Sequence, residues 1–364
     1  MTEQEALLIL NAVPDVGAIR IRKLMTFFGS ALEVLQASFD ELSQCGLLFP
    51  TTAENIFHFS KDKFLQDEYN LIQRKGINVL TVADEDYPCS LKDFEDSPVV
   101  LYVKGEVTCL NQMSLAIVGS RTASFYGCKS AKAFAQAFSR AGVMVVSGLA
   151  RGIDTSAHQG SLEAGGKTVA VIGCGFNHMY PKENLSLMEA ISRNGAVVTE
   201  FACAMPPLKQ NFPWRNRIIS ALSRATVVIE ARNKSGALIT ADFALAQNKD
   251  VYVLPSNIDN ETAMGSNQLI QDGAKVALNP DDVLSQVKEE YIPLCYNENK
   301  PVLLLSDEQS KVYPHITFQP VHLDELVRQS GLNISSLMNI TLSLELKRAI
   351  RQLPGQYYVR NEHA

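Results

Sequence analysis

Short runs of β-branched residues alternate with helical patterns between about residues 77 and 290. A chain that alternates in this way covers both faces of a sheet with helices, which gives parallel strands joined by right-handed crossovers. We therefore predict an α/β domain over residues 77–290, with a Rossmann-like, doubly wound and mostly parallel sheet. The candidate strands are NVLTV, LAIVGS, VMVVSG, TVAVIG, AVVTE, TVVIEA and DVYVLP.

Glycine and hydroxyl residues follow several of these strands directly. In a doubly wound sheet, ligands bind at the carboxyl ends of the strands. Glycine lets the backbone approach an anion, and the N-terminus of the next helix offers unpaired N–H groups with a partial positive charge. This edge of the sheet is therefore predicted to receive phosphate. The segments concerned are GSRTASFYG, SGLARGID, GCGFN and NKSGALIT.

Two common nucleotide-binding motifs are missing from these segments. GSRTASFYG and GCGFNH both lack the third glycine of G-x-G-x-x-G, and no acidic residue ends the next strand to hold a ribose. SLEAGGKT ends like a P-loop but lacks the first glycine at the required offset. We therefore predict no nucleotide cofactor.

The distribution of charge indicates a different anion. The chain has a net charge of −6, yet residues 107–153 contain no Asp or Glu, and residues 205–240 contain Glu230 alone. Because both segments supply strand-end loops, we expect a basic face, which is typical of proteins that bind a polyanion. A solvated surface with counterions is the alternative. The bases are Arg121, Lys129, Lys132, Arg140 and Arg151 in the first segment, and Lys209, Arg215, Arg217, Arg224, Arg232 and Lys234 in the second.

The seven cysteines and six histidines show no disulfide or metal-binding pattern. No cysteines are spaced C-x-x-C and no H-E-x-x-H occurs, so neither a disulfide framework nor a metal site is predicted. Cys174 and His178 are close in sequence but have no third orienting group, so we predict no nucleophile there. The chain also has no signal-peptide pattern and no uncharged apolar run of about 18 residues, so we expect a cytoplasmic protein and no membrane contact.

Residues 1–76 have apolar residues at helical spacing, interrupted at residues 14–17 and at Gly29. We predict a helical domain of the SAM or helix-hairpin-helix type. A helix-hairpin-helix can hold a DNA phosphate on the amides of its hairpin, whereas a plain helical bundle uses the glycine only to turn. Both interpretations stay open.

The C-terminal segment, residues 302–364, follows a polar linker at residues 291–301. Its pattern is a helix, a turn at Gly331, a second helix capped by Asn333 or Ser335, and a hairpin at Pro354 and Gly355. This pattern predicts a winged helix. Because the second helix carries few bases, DNA recognition, protein contact and a purely structural role all stay open.

Six segments resemble, in their order along the chain, the DprA/Smf family of DNA-processing proteins. The likeness is close over about residues 77–285. It implies a protein of natural transformation that binds and protects single-stranded DNA and helps to load the RecA recombinase onto it. It also implies a homodimer formed through the Rossmann-like domain, and no catalysis. The six segments are LAIVGSRTASFYG, SGLARGIDTSAHQGSL, TVAVIGCGFNHMYPKEN, NFPWRNRIISALS, SGALITADFALAQ and GSNQLIQDGA.

The same resemblance implies DNA-binding roles for particular residues. Gly119, Ser120 and Arg121 match the family's G-S-R phosphate pocket. Lys209 matches a basic contact and Phe212 an aromatic one, and a single-strand site needs both cations for the backbone and aromatic faces for the bases. The remaining implied positions are Asn211, Arg215, Asn216, Arg217, Ser235 and Gly236.

Two further alternatives are a hydrolase activity and base stacking by the tryptophan. Nucleoside-monophosphate phosphoribohydrolases share this superfamily, but they carry P-G-G-x-G-T-x-x-E, whose glutamate serves the chemistry. The corresponding loop NKSGALITADF lacks both the paired glycines and that glutamate, so no catalytic residue is predicted. Trp214, the only tryptophan, precedes an apolar run, and we favour a packing role over base stacking for it.

Overall fold

The computed structural model describes residues 1–287, 305–347 and 349–361. The chain forms two compact units, Met1–Pro293 and Leu294–Ala364. The first unit contains the predicted helical segment and the α/β domain, and the second contains the predicted winged helix. The predicted linker at residues 291–301 lies outside the described residues.

The N-terminal segment is helical, as its apolar spacing predicts. Its helices are α1 (Glu3–Ala12), α2 (Ala18–Phe28), α3 (Ala31–Gln36), α4 (Phe39–Gln44), α5 (Pro50–Phe57) and α6 (Lys61–Lys75). Thr2 begins α1 with a capping box, in which its side chain accepts from the Glu5 N–H while the Glu5 side chain accepts from the Thr2 N–H. Gly76 ends α6 in the left-handed region, with φ of 62°.

A nine-stranded sheet forms the centre of the first unit. Its strands are β1 (Asn78–Thr81), β2 (Val100–Gly105), β3 (Ser114–Gly119), β4 (Met144–Ser147), β5 (Thr168–Val171), β6 (Ala196–Thr199), β7 (Ala225–Ile229), β8 (Asp250–Val253) and β9 (Lys275–Val276). Their order is β1-β2-β6-β5-β4-β3-β7-β8-β9. All pairs are parallel except β1 with β2 and β2 with β6. The predicted Rossmann-like, mostly parallel sheet is confirmed.

Two of these strands are not among those predicted. β2 follows β1 with only a four-residue helix between them, so it breaks the strand–helix alternation on which the prediction rests. β9 contains two exposed residues and therefore carries no buried apolar run.

Helices connect the strands and cover the sheet. They are α7 (Cys89–Lys92), α8 (Phe125–Arg140), α9 (Ile153–Glu163), α10 (Leu185–Asn194), α11 (Asn211–Leu222), α12 (Gly236–Ala246), α13 (Met264–Gln271) and α14 (Pro280–Val287), with 3₁₀ turns at Val107–Asn111, Lys182–Asn184 and Glu261–Ala263. From β3 the chain builds the sheet in one direction through β4, β5 and β6, and β7 then continues from the other side of β3. The strand order therefore reverses between β3 and β7, where doubly wound sheets bind their ligands.

The sheet buries both of its faces. Successive β3 residues alternate, so that Leu115 and Ile117 pack with the α8 side chains while Ala116 and Val118 pack on the opposite side with residues of α11 and α12. This two-sided burial is what allows helices on both faces to position the loops at the strand ends.

The helical segment shares its core with the sheet. One buried cluster joins residues of α1 and α2 to Tyr102 and Val197 in the sheet. The Asn11 side chain donates to the Glu200 carbonyl (2.7 Å), and the buried Glu68 carboxylate accepts from the Cys203 N–H (2.8 Å). The helical segment and the sheet therefore share one core, although the chain changes from helix to strand near residue 77.

The second unit is a winged helix, as predicted. It comprises α15 (Asp307–Val312), a 3₁₀ turn (Tyr313–His315), β10 (Val321–His322), α16 (Leu323–Ser330), α17 (Ile334–Leu346), β11 (Ile350–Leu353) and β12 (Tyr357–Arg360). The strands are antiparallel in the order β10-β12-β11. Gly331 ends α16 with φ of 68°, and the Asn333 side chain caps α17 by accepting from the Ser336 N–H.

Candidate nucleic-acid interface

A pocket of about 400 Å³ lies at the carboxyl ends of β3 and β7, where the strand order reverses. We call it the strand-end pocket. Eight of the residues implied by the family resemblance line it: Gly119, Ser120, Arg121, Phe212, Arg215, Asn216, Ser235 and Gly236. Lys209, Asn211 and Arg217 are not in its wall. Among residues that the sequence did not single out as site residues, Asp154 and Arg232 line it as well.

The end of β3 brings three backbone segments close together. A Cβ on Gly119 would collide with the Ile229 carbonyl oxygen and with the Ile153 side chain, so only glycine fits there. The next residue, Ser120, donates its N–H to the Glu230 carbonyl (2.7 Å). Ser120 also accepts the Thr122 N–H at its Oγ (3.2 Å). Together these contacts fix the loop that carries Arg121.

Glu230 forms hydrogen bonds with Ser124, the N-cap residue of α8. Its carboxylate accepts from the Ser124 N–H (2.8 Å) and from the Ser124 hydroxyl, and its side chain is 1% exposed. A carboxylate of the protein thus already lies at the N-terminus of α8, where the helix dipole favours a negative charge. Glu230, the only acidic residue between residues 205 and 240, therefore faces the interior.

The start of α12 opens into the strand-end pocket instead. Ser235 caps this helix by accepting from the Ala237 N–H (3.1 Å), and Gly236 is exposed with open space beside its Cα. A phosphate in the pocket would face this helix N-terminus, whose partial positive charge favours an anion.

Arg215 fastens α11 to the ends of two strands. Its guanidinium donates to the carbonyl oxygens of Gly148 (2.6 Å) and Val171, and the residue is 3% exposed. A Cβ on Gly148 would lie 2.6 Å from that guanidinium, so a larger residue there would displace Arg215. Burial lowers the pKa of Arg215 to about 10, with Asp154 opposing the shift and Arg121 adding to it.

The next two residues of α11 are also held by the protein. The Asn216 side chain donates to the Gly236 carbonyl (3.0 Å), which ties α11 to the start of α12. Arg217 is 1% exposed and pairs with Glu200 at two points (2.9 and 2.7 Å), with Asp96 3.7 Å from its Nε. Arg215, Asn216 and Arg217 thus seat α11 in the fold, and Arg217 is shielded from the pocket.

Asp154 is a carboxylate that the charge pattern missed, because it lies one residue beyond the acid-free stretch. It is 6% exposed and accepts the N–H groups of Gly148 (3.1 Å) and Ala150 (3.2 Å). Burial raises its pKa, while Arg215 and these hydrogen bonds oppose the shift. The opposite charge of the neighbouring Arg215 offsets that of Asp154 at the floor of the pocket.

Arg121 is an exposed cation at the pocket, and the half-buried ring of Phe212 lies beside it. The Arg121 guanidinium carbon lies 5.5 Å from the centre of the Phe212 ring, and the Arg121 side chain is exposed. Lys209, just before α11, and Arg232, on the opposite wall, are exposed too. Asn211 is 6% exposed, and its side-chain nitrogen has no hydrogen-bond partner in the described part of the chain.

Four other bases of the two basic segments lie away from the pocket wall. Lys132 and Arg151 pair with Glu163 and Glu183 at the surface. Arg140 ends α8, which puts it a whole helix length from the strand ends. Arg224 directly precedes β7 and so lies at the amino end of the sheet. The basic face expected from the sequence is therefore reduced to a few exposed cations around the pocket.

Trp214 is 38% exposed and has the buried Arg217 beside its ring. Its ring lies 4.4 Å from the guanidinium carbon of Arg217, and it is not in the pocket wall. Cys174 is fully buried, and burial raises the pKa of its thiol to about 11, which is unfavourable for a nucleophile. The residues that the structure describes contain no cluster of three potential metal ligands.

The last helix of the winged helix, α17, contains few charged residues. Between its first and last residues, α17 has no Lys or Arg, and a helix that reads a DNA groove needs such residues. Four apolar residues spaced four apart are exposed on it instead: Ile334, Met338, Leu342 and Leu346. In the described ranges, no helix is long and apolar enough to cross a membrane.

Comparison with known proteins agrees with this architecture. Residues 78–288 match the family described as DNA recombination-mediator protein A, and residues 298–356 match the DprA winged helix domain. The chain is 33% identical to Protein Smf of Escherichia coli K12 over 325 residues, covering 87% of this chain and 86% of that protein. It is 41% identical to the DNA processing protein DprA of Streptococcus pneumoniae over 206 residues, covering 57% and 73%.

Two solved structures share the fold. The X-ray structure of DprA from S. pneumoniae matches with a TM-score of 0.68 at 34% identity, covering 79% of this chain and 99% of that one. DNA processing protein A from Helicobacter pylori, whose structure gives insight into its single-stranded DNA binding mode, matches with a TM-score of 0.54 at 27% identity, covering 59% and 97%. With the central domain and the winged helix both matched, the chain belongs to the DNA recombination-mediator protein A family.

Proposed function

We propose that the protein binds single-stranded DNA at the strand-end pocket. The observation that carries this proposal is the exposed Arg121 beside the half-buried ring of Phe212, next to the N-terminus of α12. A single strand offers phosphates to cations and helix N-termini, and offers unpaired bases to aromatic faces. The H. pylori relative, described by its single-stranded DNA binding, supports the same assignment.

Each part of the site has its own task in this proposal. Arg121 and the α12 amides hold a phosphate in the pocket, and Lys209 and Arg232 attract the strand on either side. Phe212 stacks on a base. Arg215, Asn216 and Arg217 hold α11, so that Phe212 stays at the pocket. We thus assign Arg217 a structural role rather than the DNA contact implied by the family resemblance.

We further propose a binding role without catalysis. Among the described residues, Asp154 is the only carboxylate in the pocket wall, and backbone N–H groups and Arg215 already engage it. Asp242, the acidic residue nearest to the expected hydrolase position, is exposed on α12 outside the wall. Release of base from nucleoside monophosphates by the protein would support the phosphoribohydrolase alternative.

The wider role that we propose follows from the family. The protein would act in the cytoplasm during natural transformation, protect incoming single strands and help to load RecA onto them. A homodimer fits the surface near β8 and β9, where several large apolar side chains of the first unit are exposed. These are Leu245, Ile258, Met264, Val276 and Leu278.

A salt series with matched oligonucleotides tests the proposed binding. We expect clear preference for a single strand over the duplex of the same sequence, with affinity that falls steeply as salt rises, because condensed counterions are released. Equal affinity for the duplex, or affinity that does not change with salt, would refute it.

A further inference from the structure

Tyr180 forms an aromatic corner with Phe212 beside the strand-end pocket. The two ring centres are 5.5 Å apart and the ring planes are inclined by 57°. Tyr180 is 41% exposed, so its ring is accessible to a ligand. Tyr180 lies in the family segment TVAVIGCGFNHMYPKEN, but it is neither among the implied site residues nor in the pocket wall.

Both sides of this corner are held in place. Phe212 packs against Gly173, where a Cβ would come within 2.9 Å of the Phe212 ring. Asn184, which is 7% exposed and follows Tyr180 by four residues, donates from its side chain to the Leu149 carbonyl (2.9 Å) and the Thr155 hydroxyl (2.8 Å). Earlier in the loop, the Asn177 N–H donates to the Cys203 carbonyl (2.9 Å). These contacts hold the Phe212 ring and the loop that carries Tyr180.

We infer that Tyr180 is a second base-stacking residue, and that the Tyr180–Phe212 corner selects single strands. This inference rests on the proposed function. A planar base can lie flat on only one of two rings inclined by 57°, so the corner offers separate stacking surfaces for two bases. Those two bases must be inclined to each other as well. Bases of a duplex stay parallel and paired, whereas a single strand can turn its bases apart.

Oligonucleotides with and without bases test this role. Binding of the full chain to a fluorescent thymidine oligonucleotide, and to an abasic strand with the same number of phosphates, is measured by anisotropy. We expect Tyr180→Ala to bind the thymidine strand about tenfold more weakly than the wild type, and Tyr180→Phe to bind it normally, because stacking needs the ring alone. On the abasic strand, Tyr180→Ala and the wild type should bind alike.

Tyr357 offers a matched control, because it is also 41% exposed but lies in the winged helix. Tyr357→Ala should bind both strands like the wild type. Normal binding of Tyr180→Ala to the thymidine strand would overturn the inference, as would an equal loss on both strands or an equal loss in Tyr180→Phe. If the wild type itself bound no thymidine strand, the proposed function would fail instead.

Discussion

Arg217 and Glu200 form a two-point ion pair inside the first unit, with N–O distances of 2.9 and 2.7 Å. Arg217 is 1% exposed and Glu200 is 6% exposed. Burial raises the pKa of Glu200, and the Arg217 guanidinium opposes this shift. Because Glu200 also accepts from Asn11 at its carbonyl, the pair connects α11 with the helical segment.

The ion pair predicts a stability defect rather than a DNA-binding defect. Arg217→Met leaves the Glu200 carboxylate buried without its partner, so we expect the free energy of unfolding to fall by about 3–5 kcal/mol. Adding Glu200→Leu should recover much of this loss, since no buried charge then remains unpaired. Urea denaturation of both variants measures the effect. A stable Arg217→Met variant that bound DNA with a lower salt dependence would instead make Arg217 a phosphate contact.

His158 predicts a loss of stability in mild acid. The residue is fully buried, its Nδ1 shares a hydrogen bond with the Thr168 hydroxyl (2.7 Å), and burial together with the nearby Arg215 lowers its pKa to about 3. The unfolded chain therefore takes up this proton first as the pH falls. The contribution to the free energy of unfolding is present above about pH 6.5 and is lost towards pH 3, which amounts to about 2 kcal/mol between pH 7 and pH 5.

The variant His158→Gln tests whether protonation of His158 causes this pH dependence. In His158→Gln, the free energy of unfolding should change less between pH 7 and pH 5 than in the wild type. His58, which is exposed in the same unit, provides the control His58→Gln, for which we expect the wild-type pH dependence. Identical pH profiles for all three proteins would show that His158 does not titrate as its burial requires.

Variants of Lys209 and Phe212 distinguish the contribution of charge to DNA binding from that of base stacking. Lys209→Ala should weaken single-strand binding and lower the slope of log affinity against log salt by about one, because one phosphate contact is lost. Phe212→Ala should weaken binding by about 1–3 kcal/mol and leave the slope nearly unchanged, since stacking releases no counterion. Both are measured by anisotropy titrations at several salt concentrations. A lower slope for Phe212→Ala would rule out a pure stacking role.

The exposed apolar residues near β9 predict the dimer surface. Ile258 is 94% exposed and Leu278 is 70% exposed, so Asp at either position should fold normally. We expect a wild-type dimer by light scattering at micromolar concentration, and a monomer for the double variant Ile258→Asp/Leu278→Asp. Phe27→Asp, at an exposed site in the helical segment, should stay dimeric. A monomeric wild type would contradict the proposed homodimer.

The sheet and much of the pocket follow from local sequence patterns. Strand–helix alternation is local, and glycines after a strand identify its carboxyl end, so the sequence alone predicts Gly119, Ser120 and Gly236 at one edge of the sheet. Whether a side chain is buried, in contrast, depends on contacts with residues that are distant in the sequence. Arg217 meets Glu200 from 17 residues away and Arg215 meets Gly148 from 67 residues away, so an exposed arginine and a buried one read alike in the sequence.

Tyr180 was missed for a related reason. Its ring matters only because a separate loop carries it to Phe212, and no spacing in the sequence records that meeting. Asp154 ends the acid-free stretch, so a count of charges along the sequence gives no sign that its carboxylate lies beside the bases of the pocket. In both cases the missing information is the tertiary contact, which only the fold supplies.

Arg121 and Arg140 allow the most direct test of the strand-end pocket. Both are exposed arginines, but Arg121 lies in the loop between β3 and α8 and lines the pocket, whereas Arg140 is the last residue of α8 and does not. Single-strand affinity should be measured across salt for Arg121→Ala and Arg140→Ala, with circular dichroism showing that both are folded. We expect Arg121→Ala to bind more weakly, with a salt slope reduced by about one, and Arg140→Ala to match the wild type. If folded Arg121→Ala binds single strands as tightly as the wild type, DNA does not bind in this pocket.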